Sequence, residues 1–173
     1  AERDGGWVDE DSALTADDPW ALEIIAAEQQ LLHSGHNVSV VRFAGIYGVQ
    51  GGRLLSRIRR GELCPAEPVS YTNRIHRDDC AGFRAHLLLL AQTGEALLPI
   101  YIGVDDLPAP RYEVESWLAR EMGLQDQLVV PSAAGVDPTR HNTAGHKRCR
   151  NSALHGSGYQ LIIAPALEGS GDE

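Results

Sequence analysis

The sequence predicts an α/β fold, a parallel sheet with flanking helices. Three observations predict it. Short runs of β-branched and aromatic residues alternate with helical patterns along the chain. One run, Val38 to Phe43, is apolar at most positions, as a strand covered on both faces reads. That run leads into Gly45-Ile46-Tyr47-Gly48 and then Gly51-Gly52, a glycine-punctuated loop that opens a helix. Ligands in open α/β sheets sit just beyond the carboxyl ends of the strands, so residues 42 to 53 are where a site is expected first.

Taken in order, residues 1 to 19 are polar, acidic and turn-rich, and read as loop. Asp17-Asp18-Pro19 then supplies a capping acid and a proline at the first helical position. The helix runs from about Trp20 to His33, and Gly35 follows it where a left-handed residue closes helices. After the strand at 38 to 43, residues 51 to 61 form a short basic helix with Arg53, Arg57 and Arg60 on one face. That face is either solvated or an anion-facing surface beside the 45–52 loop.

Residues 62 to 70 are loop, and residues 71 to 76 have strand character. Asp78 and Asp79 start a helix to about Gln92, with Cys80, Phe83, Leu87 and Leu90 as its buried stripe. A second buried strand covers Ile100 to Val104 and ends in the acidic turn Asp105-Asp106-Leu107-Pro108. A helix from about Arg111 to Met122 turns Val114, Trp117, Leu118 and Met122 inward. Residues 125 to 146 read as loop, 151 to 155 as a short helix, and the tail is glycine-rich and acidic. Strand–helix alternation of this kind implies right-handed crossovers.

The 173 residues suffice for one domain with a real core. The net charge of -9, from 24 acidic and 15 basic residues, argues against a nucleic-acid partner, which needs a basic face. No apolar run approaches a membrane span, so no membrane partner is expected. Cys64, Cys80 and Cys149 are too few and too scattered for a disulfide framework, and read as reduced thiols of a cytoplasmic protein. The start carries neither an initiator Met nor a signal peptide, and looks like the interior of a longer protein.

His141, His146 and Cys149 fit no common zinc spacing, so no metal is expected. His76-Arg77-Asp78-Asp79 places an imidazole at a strand end beside carboxylates at a helix start. Either an Asp merely caps that helix, or His76 belongs to a site. No Gly-x-Gly-x-x-Gly, Gly-x-Ser-x-Gly or His-Glu-x-x-His occurs.

Several segments, in order, carry a resemblance. Val41-Arg42-Phe43-Ala44-Gly45-Ile46-Tyr47-Gly48 resembles the Arg-aromatic-x-x-(Ile/Val)-Tyr-Gly segment of extended short-chain dehydrogenases, the NAD-dependent epimerase/dehydratase family. Asn73 to Asp79 is similar to that family's His-Val-x-Asp segment, and Ile100 to Pro108 to its next strand and Asp-x-x-Pro turn. His146 to Leu154 with Gly158-Tyr159 is similar to its C-terminal Lys-Arg-x-x-Asn-x-x-Leu…Gly-Tyr signature. Gly6 to Asp11 resembles the acidic segment after its catalytic-serine strand. The likeness is greatest to an atypical subgroup of small bacterial epimerase-like members.

The resemblance implies that residues 1–173 are the C-terminal portion of a Rossmann-like domain, with a small substrate-side region and without the N-terminal dinucleotide-binding half. It implies NAD or NADP as cofactor, a nucleotide-sugar-like substrate, and oxidoreductase or epimerase chemistry; a homodimer is the partner expected apart from the resemblance. This chain by itself is not expected to bind the cofactor tightly. Substrate or cofactor contacts are expected at Arg42, Gly45, Tyr47, Arg53, Arg74 and His76. No catalytic residue is assigned. The family's Tyr-x-x-x-Lys pair should lie on the helix at 20 to 33, followed after four residues by a Glu. Glu28 takes that place, so the Tyr and Lys positions fall on Trp20 and Ile24. Indole does not transfer a proton as a phenol does, and isoleucine neither lowers a phenol's pKa nor holds a ribose hydroxyl. Gly45 also replaces an Asn, and Val49 a Pro, common in the family. The alternative to an enzyme is therefore a non-catalytic NAD(P)-binding or sensing protein of the same fold.

Overall fold

The computed structural model describes residues 4–14, 18–48, 52–127 and 146–163. Helices and strands alternate there in the order β1 (Trp7–Val8), α1 (Pro19–Leu32), β2 (Val40–Phe43), β3 (Gly45–Tyr47), α2 (Arg53–Arg59), β4 (Tyr71–Thr72) and β5 (Arg74–His76). They continue with α3 (Arg77–Gln92), β6 (Ile100–Gly103), β7 (Ala109–Pro110), α4 (Arg111–Glu121), β8 (Arg148–Cys149) and α5 (Ser152–Gly156). The pairs β1–β8, β2–β6 and β3–β5 are parallel, and β4–β7 is antiparallel. Parallel pairs with flanking helices are what the alternation predicts.

The glycine-punctuated stretch is strand where the sequence reads as loop. Val40–Phe43 pair with Ile100–Gly103, and the Ala44 amide still donates to the Gly103 carbonyl at 3.1 Å. One residue on, the Gly45 amide donates to the Asn73 carbonyl at 3.2 Å, and Gly45–Tyr47 pair with Arg74–His76. The segment thus changes partner at Ala44. Gly45 suits the crossing because a Cβ there would come within 3.3 Å of the Asn73 carbonyl oxygen.

Residues 71 to 76 are likewise divided, at Asn73. Its side-chain Nδ2 donates to the Lys147 carbonyl at 2.9 Å, while its Oδ1 accepts from the Cys149 amide at 2.7 Å. The short strands β1, β7 and β8 have no periodicity to betray them, and exist only as partners of other segments.

The main core gathers Ile75, Cys80, Phe83, Leu87, Tyr101, Leu154 and Tyr159. Phe83 meets Tyr101 edge-on, with centroids 5.5 Å apart. The buried stripe expected on α3 is therefore present. A smaller cluster of Ile58, Leu63 and Ala119 joins α2 to α4. On α4 the buried face is Val114, Glu115 and Ala119, while Trp117, Leu118 and Met122 are half-buried.

Helix α1 starts as its sequence predicts, with Asp18 accepting from the Trp20 and Ala21 amides at 3.0 and 3.2 Å. No α1 residue is fully buried. Ala21, Ile25, Glu28 and Leu32 are partly covered, while Trp20, Ile24, Ala27 and Leu31 form an exposed stripe at 4, 3, 4 spacing. Trp20 is 81% exposed and Ile24 60%. Strand β2 is only half-buried, contrary to the expectation of cover on both faces, and among the described residues it pairs only with β6. An open parallel edge and an exposed apolar helix stripe each favour association. The chain is expected to bind an apolar dye and to self-associate in sedimentation; a clean monomer that binds no dye would refute this.

Candidate functional site

Tyr47 ends β3 and His76 ends β5, and the two are register partners. Their rings meet edge-on with centroids 5.2 Å apart. His76 also caps α3, since its Nδ1 accepts from the Asp78 amide at 3.2 Å, so the neutral ring carries its proton on Nε2. The imidazole does the capping that the sequence suggests for an Asp. Gly48, at φ +99°, lies against the ring, and any side chain there would collide with it. Asp79 instead turns inward and accepts from Tyr159 Oη and the Ile162 and Ile163 amides.

Arg74 and Asp105 bring opposite charges to the same place. Their side chains are 9% and 3% exposed, with Arg74 Nε 3.9 Å from Asp105 Oδ2. Arg74 Nη2 donates to the Leu107 carbonyl at 2.9 Å, and Asp105 Oδ1 accepts from the Leu107 amide at 3.2 Å. The Asp105 amide donates to the Arg74 carbonyl at 2.6 Å. Burial lowers the Arg74 pKa although Asp105 pulls it up, and burial raises that of Asp105 to about 6 although Arg74 pulls it down. Burial outweighs attraction on both sides because 3.9 Å is too long for a direct hydrogen bond. The Tyr47 phenol is also pushed up, first by burial and then by the Asp105 charge, against a pull from Arg74. A phenol poised for proton transfer at neutral pH needs the opposite shift.

The Asp105 shift sets a pH dependence. Its folded pKa lies above the ordinary 3.8, so its contribution to stability is full below that value and is lost as pH rises towards about 6. Urea titrations between pH 4 and 6 are expected to show a falling component of at most ~1.4 kcal/mol per pH unit. Asp105→Asn should remove that component; an unchanged slope would refute the assignment.

The structure thus brings Tyr47, Arg74 and His76 together, with Asp105 added. The sequence shows Asp105 only as part of an acidic turn, although its place just past a buried strand was a usable signal. Gly45 is exposed at the partner change. Arg42 is gripped by Glu28 on α1, with Nε donating at 3.0 Å and Nη2 at 2.6 Å to the same carboxylate oxygen. Arg53 is exposed at the start of α2. The other arginines of its helix face have internal partners: Arg57 Nη1 donates to Glu115 at 3.2 Å, and Arg60 Nε to Glu62 at 2.7 Å.

On the other side of the β6 exit, Asp106 accepts from Asn151 at 2.6 Å and meets His155 Nε2 at 2.7 Å. Burial pushes its carboxyl up, but hydrogen bonds from His155 and Asn151 hold it below the usual value. Among the described residues no His, Cys, Asp and Glu cluster could hold a metal; His141 lies outside them. All three thiols are free; burial raises each, Cys64 to about 12, so they suit packing rather than reaction.

Parallel strand pairs with flanking helices, and polar side chains gathered around their strand ends, define the class, a Rossmann-like fold. The particular likeness is to NAD-dependent epimerase/dehydratase proteins, whose C-terminal half the chain matches over nearly its whole length. One solved structure, from Methylobacillus flagellatus and provisionally described as an NAD-dependent epimerase/dehydratase, is 32% identical with a TM-score of 0.73. The match covers 93% of this chain and 54% of that one. A conserved protein of unknown function from Silicibacter pomeroyi is 28% identical with a TM-score of 0.74, covering 95% and 58%. The human epimerase family protein SDR39U1, solved with NADPH, shares the fold at 20% identity and a TM-score of 0.74, covering 95% and 58%. The chain therefore spans a little over half the length of the structures it matches. No family model matches the sequence, and no curated protein does.

Proposed function

We propose that this chain is the substrate-side portion of an NAD(P)-dependent epimerase/dehydratase-like oxidoreductase acting on a nucleotide-sugar-like substrate. The observation that carries the reading is the group Tyr47, Arg74 and Asp105 around the ends of β3 and β6 and the start of β5, with buried polar atoms left unpaired among the described residues. Two solved proteins of the same fold support the substrate class. One is a UDP-glucose 4-epimerase from Thermotoga maritima solved with UDP-glucose, the other a UDP-glucuronic acid 4-epimerase from Bacillus cereus in complex with NAD. A cytoplasmic location and a homodimer go with this reading.

The residues of this chain do not fit the dinucleotide itself. No glycine fingerprint offers a helix N-terminus to a pyrophosphate, and α1 presents Trp20 and Ile24 to solvent at the positions assigned to the phenol and ammonium. On this reading, dinucleotide binding falls to a portion other than residues 1–173. Calorimetric titration of this chain is expected to give no micromolar dissociation constant for NAD or NADP. A measurable enthalpy with UDP-glucose is expected; its absence would count against the substrate-side reading.

The second reading is a non-catalytic NAD(P)-binding or sensing protein of the same fold. It is favoured by Trp20, Ile24 and the upward-shifted Tyr47 phenol, none of which supplies the usual proton relay. A protein that carries a nucleotide-binding half together with these residues decides between the two. Hydride transfer with nucleotide sugars supports the enzyme, and NAD(P) binding without turnover supports the sensor.

A further inference from the structure

Among the described residues, four polar atoms around the ends of β3 and β6 and the start of β5 are buried without a hydrogen-bond partner: Tyr47 Oη, Arg74 Nε and Nη1, and Asp105 Oδ2. Three belong to the charged side chains of Arg74 and Asp105, both more than nine-tenths buried, where an unpaired polar atom is strongly unfavourable. Arg74 Nε and Asp105 Oδ2 stand 3.9 Å apart, too far for a direct bond. One oxygen between them reaches both at about 2.8 Å. That oxygen must accept from Nε–H and donate to the carboxylate. A hydroxyl-type oxygen does both; an ionised phosphate or carboxylate does not donate, and an ammonium does not accept.

We propose that Arg74 and Asp105, together with the Tyr47 phenol, form a slot for one hydroxyl-type oxygen. Water and a ligand hydroxyl share this chemistry. The slot is held from several sides. The third Arg74 nitrogen, Nη2, donates to the Leu107 carbonyl, the Leu107 amide donates to Asp105 Oδ1, and the Asp105 amide donates to the Arg74 carbonyl. Tyr47 stands two residues along β3 from Gly45, the register partner of Arg74, and its own Oη is buried without a partner, so it is assigned to the same oxygen. The ligand-hydroxyl source rests on the substrate-side reading above; the water source does not.

High-resolution crystals of the chain, free and soaked with UDP-glucose, test this. In free crystals an oxygen is expected within about 3.2 Å of both Arg74 Nε and Asp105 Oδ2. A sugar hydroxyl replacing it in the soak identifies a ligand as the second source. Water persisting there identifies water alone, with the slot still standing. Direct closure of the guanidinium onto the carboxylate, with no oxygen between, overturns the proposal. A failed soak with water in place bears on the proposed function and not on the slot. Tyr47→Phe gives a solution readout. Loss of a bond to the held oxygen lowers Tm by a few degrees, whereas a raised Tm removes Tyr47 from the slot.

Discussion

Glu115→Ala is expected to lower the unfolding free energy by about 3–5 kcal/mol, the cost of breaking a buried ion pair. Glu115 is fully buried on α4. Its carboxylate accepts from Arg57 Nη1 at 3.2 Å, from Arg111 Nε at 2.8 Å and from the Cys64 amide at 2.6 Å. One side chain thus ties α2, α4 and the loop after α2 beside the small cluster of Ile58, Leu63 and Ala119. The two arginines keep partial access to water and can resolvate, which places the effect towards the lower end of the range. Glu115→Gln keeps an acceptor and the shape, so its loss should be smaller. Urea unfolding measures both. A loss below about 1 kcal/mol for the alanine variant would show that the network contributes no more than a surface pair.

Asp79→Ala is expected to cost about 3 kcal/mol and to act locally as well. The Asp79 side chain is 1% exposed and accepts from Tyr159 Oη at 3.2 Å, the Ile162 amide at 2.7 Å and the Ile163 amide at 3.2 Å. Without it, three donors that hold residues 159 to 163 against α3 lose their acceptor. Amide exchange at Ile162 and Ile163 should accelerate well beyond what global destabilisation produces. Tyr159→Phe removes one of the three bonds and should cost about 1 kcal/mol. Unchanged exchange at both isoleucines in Asp79→Ala would show that the segment is held by packing on Tyr159 alone.

Both residues show how far side-chain type is legible before the fold is known. Glu115 sits in a helix whose apolar positions are plain, yet a buried glutamate among them is invisible without Arg57 and Arg111, which are 58 and 4 residues away. Asp79 reads as a helix cap, and the cap is the neighbouring histidine. A carboxylate satisfies a helix terminus or a distant backbone amide equally well, and only the path of the chain decides which is within reach.

The sequence by itself determined the alternation of strands and helices, the start of α1 at Asp18-Pro19, the buried stripe of α3 and the location of interest just beyond the strands. Each rests on local chemistry: a capping carboxylate, a 3.6-residue period, or a β-branched run. The likeness to epimerase/dehydratase proteins was also legible, since it lies in motifs kept in order. The tertiary structure alone decided the rest. It turned residues 45 to 47 into strand, because Asn73 and the β5 backbone offer that segment a second partner. It drew Arg42 to Glu28 and set Asp105 against Arg74. Those pairings span 14 and 31 residues of sequence, and no period or composition records them. They arise because burial removes water as the alternative partner, so each charged group takes whatever the fold brings beside it.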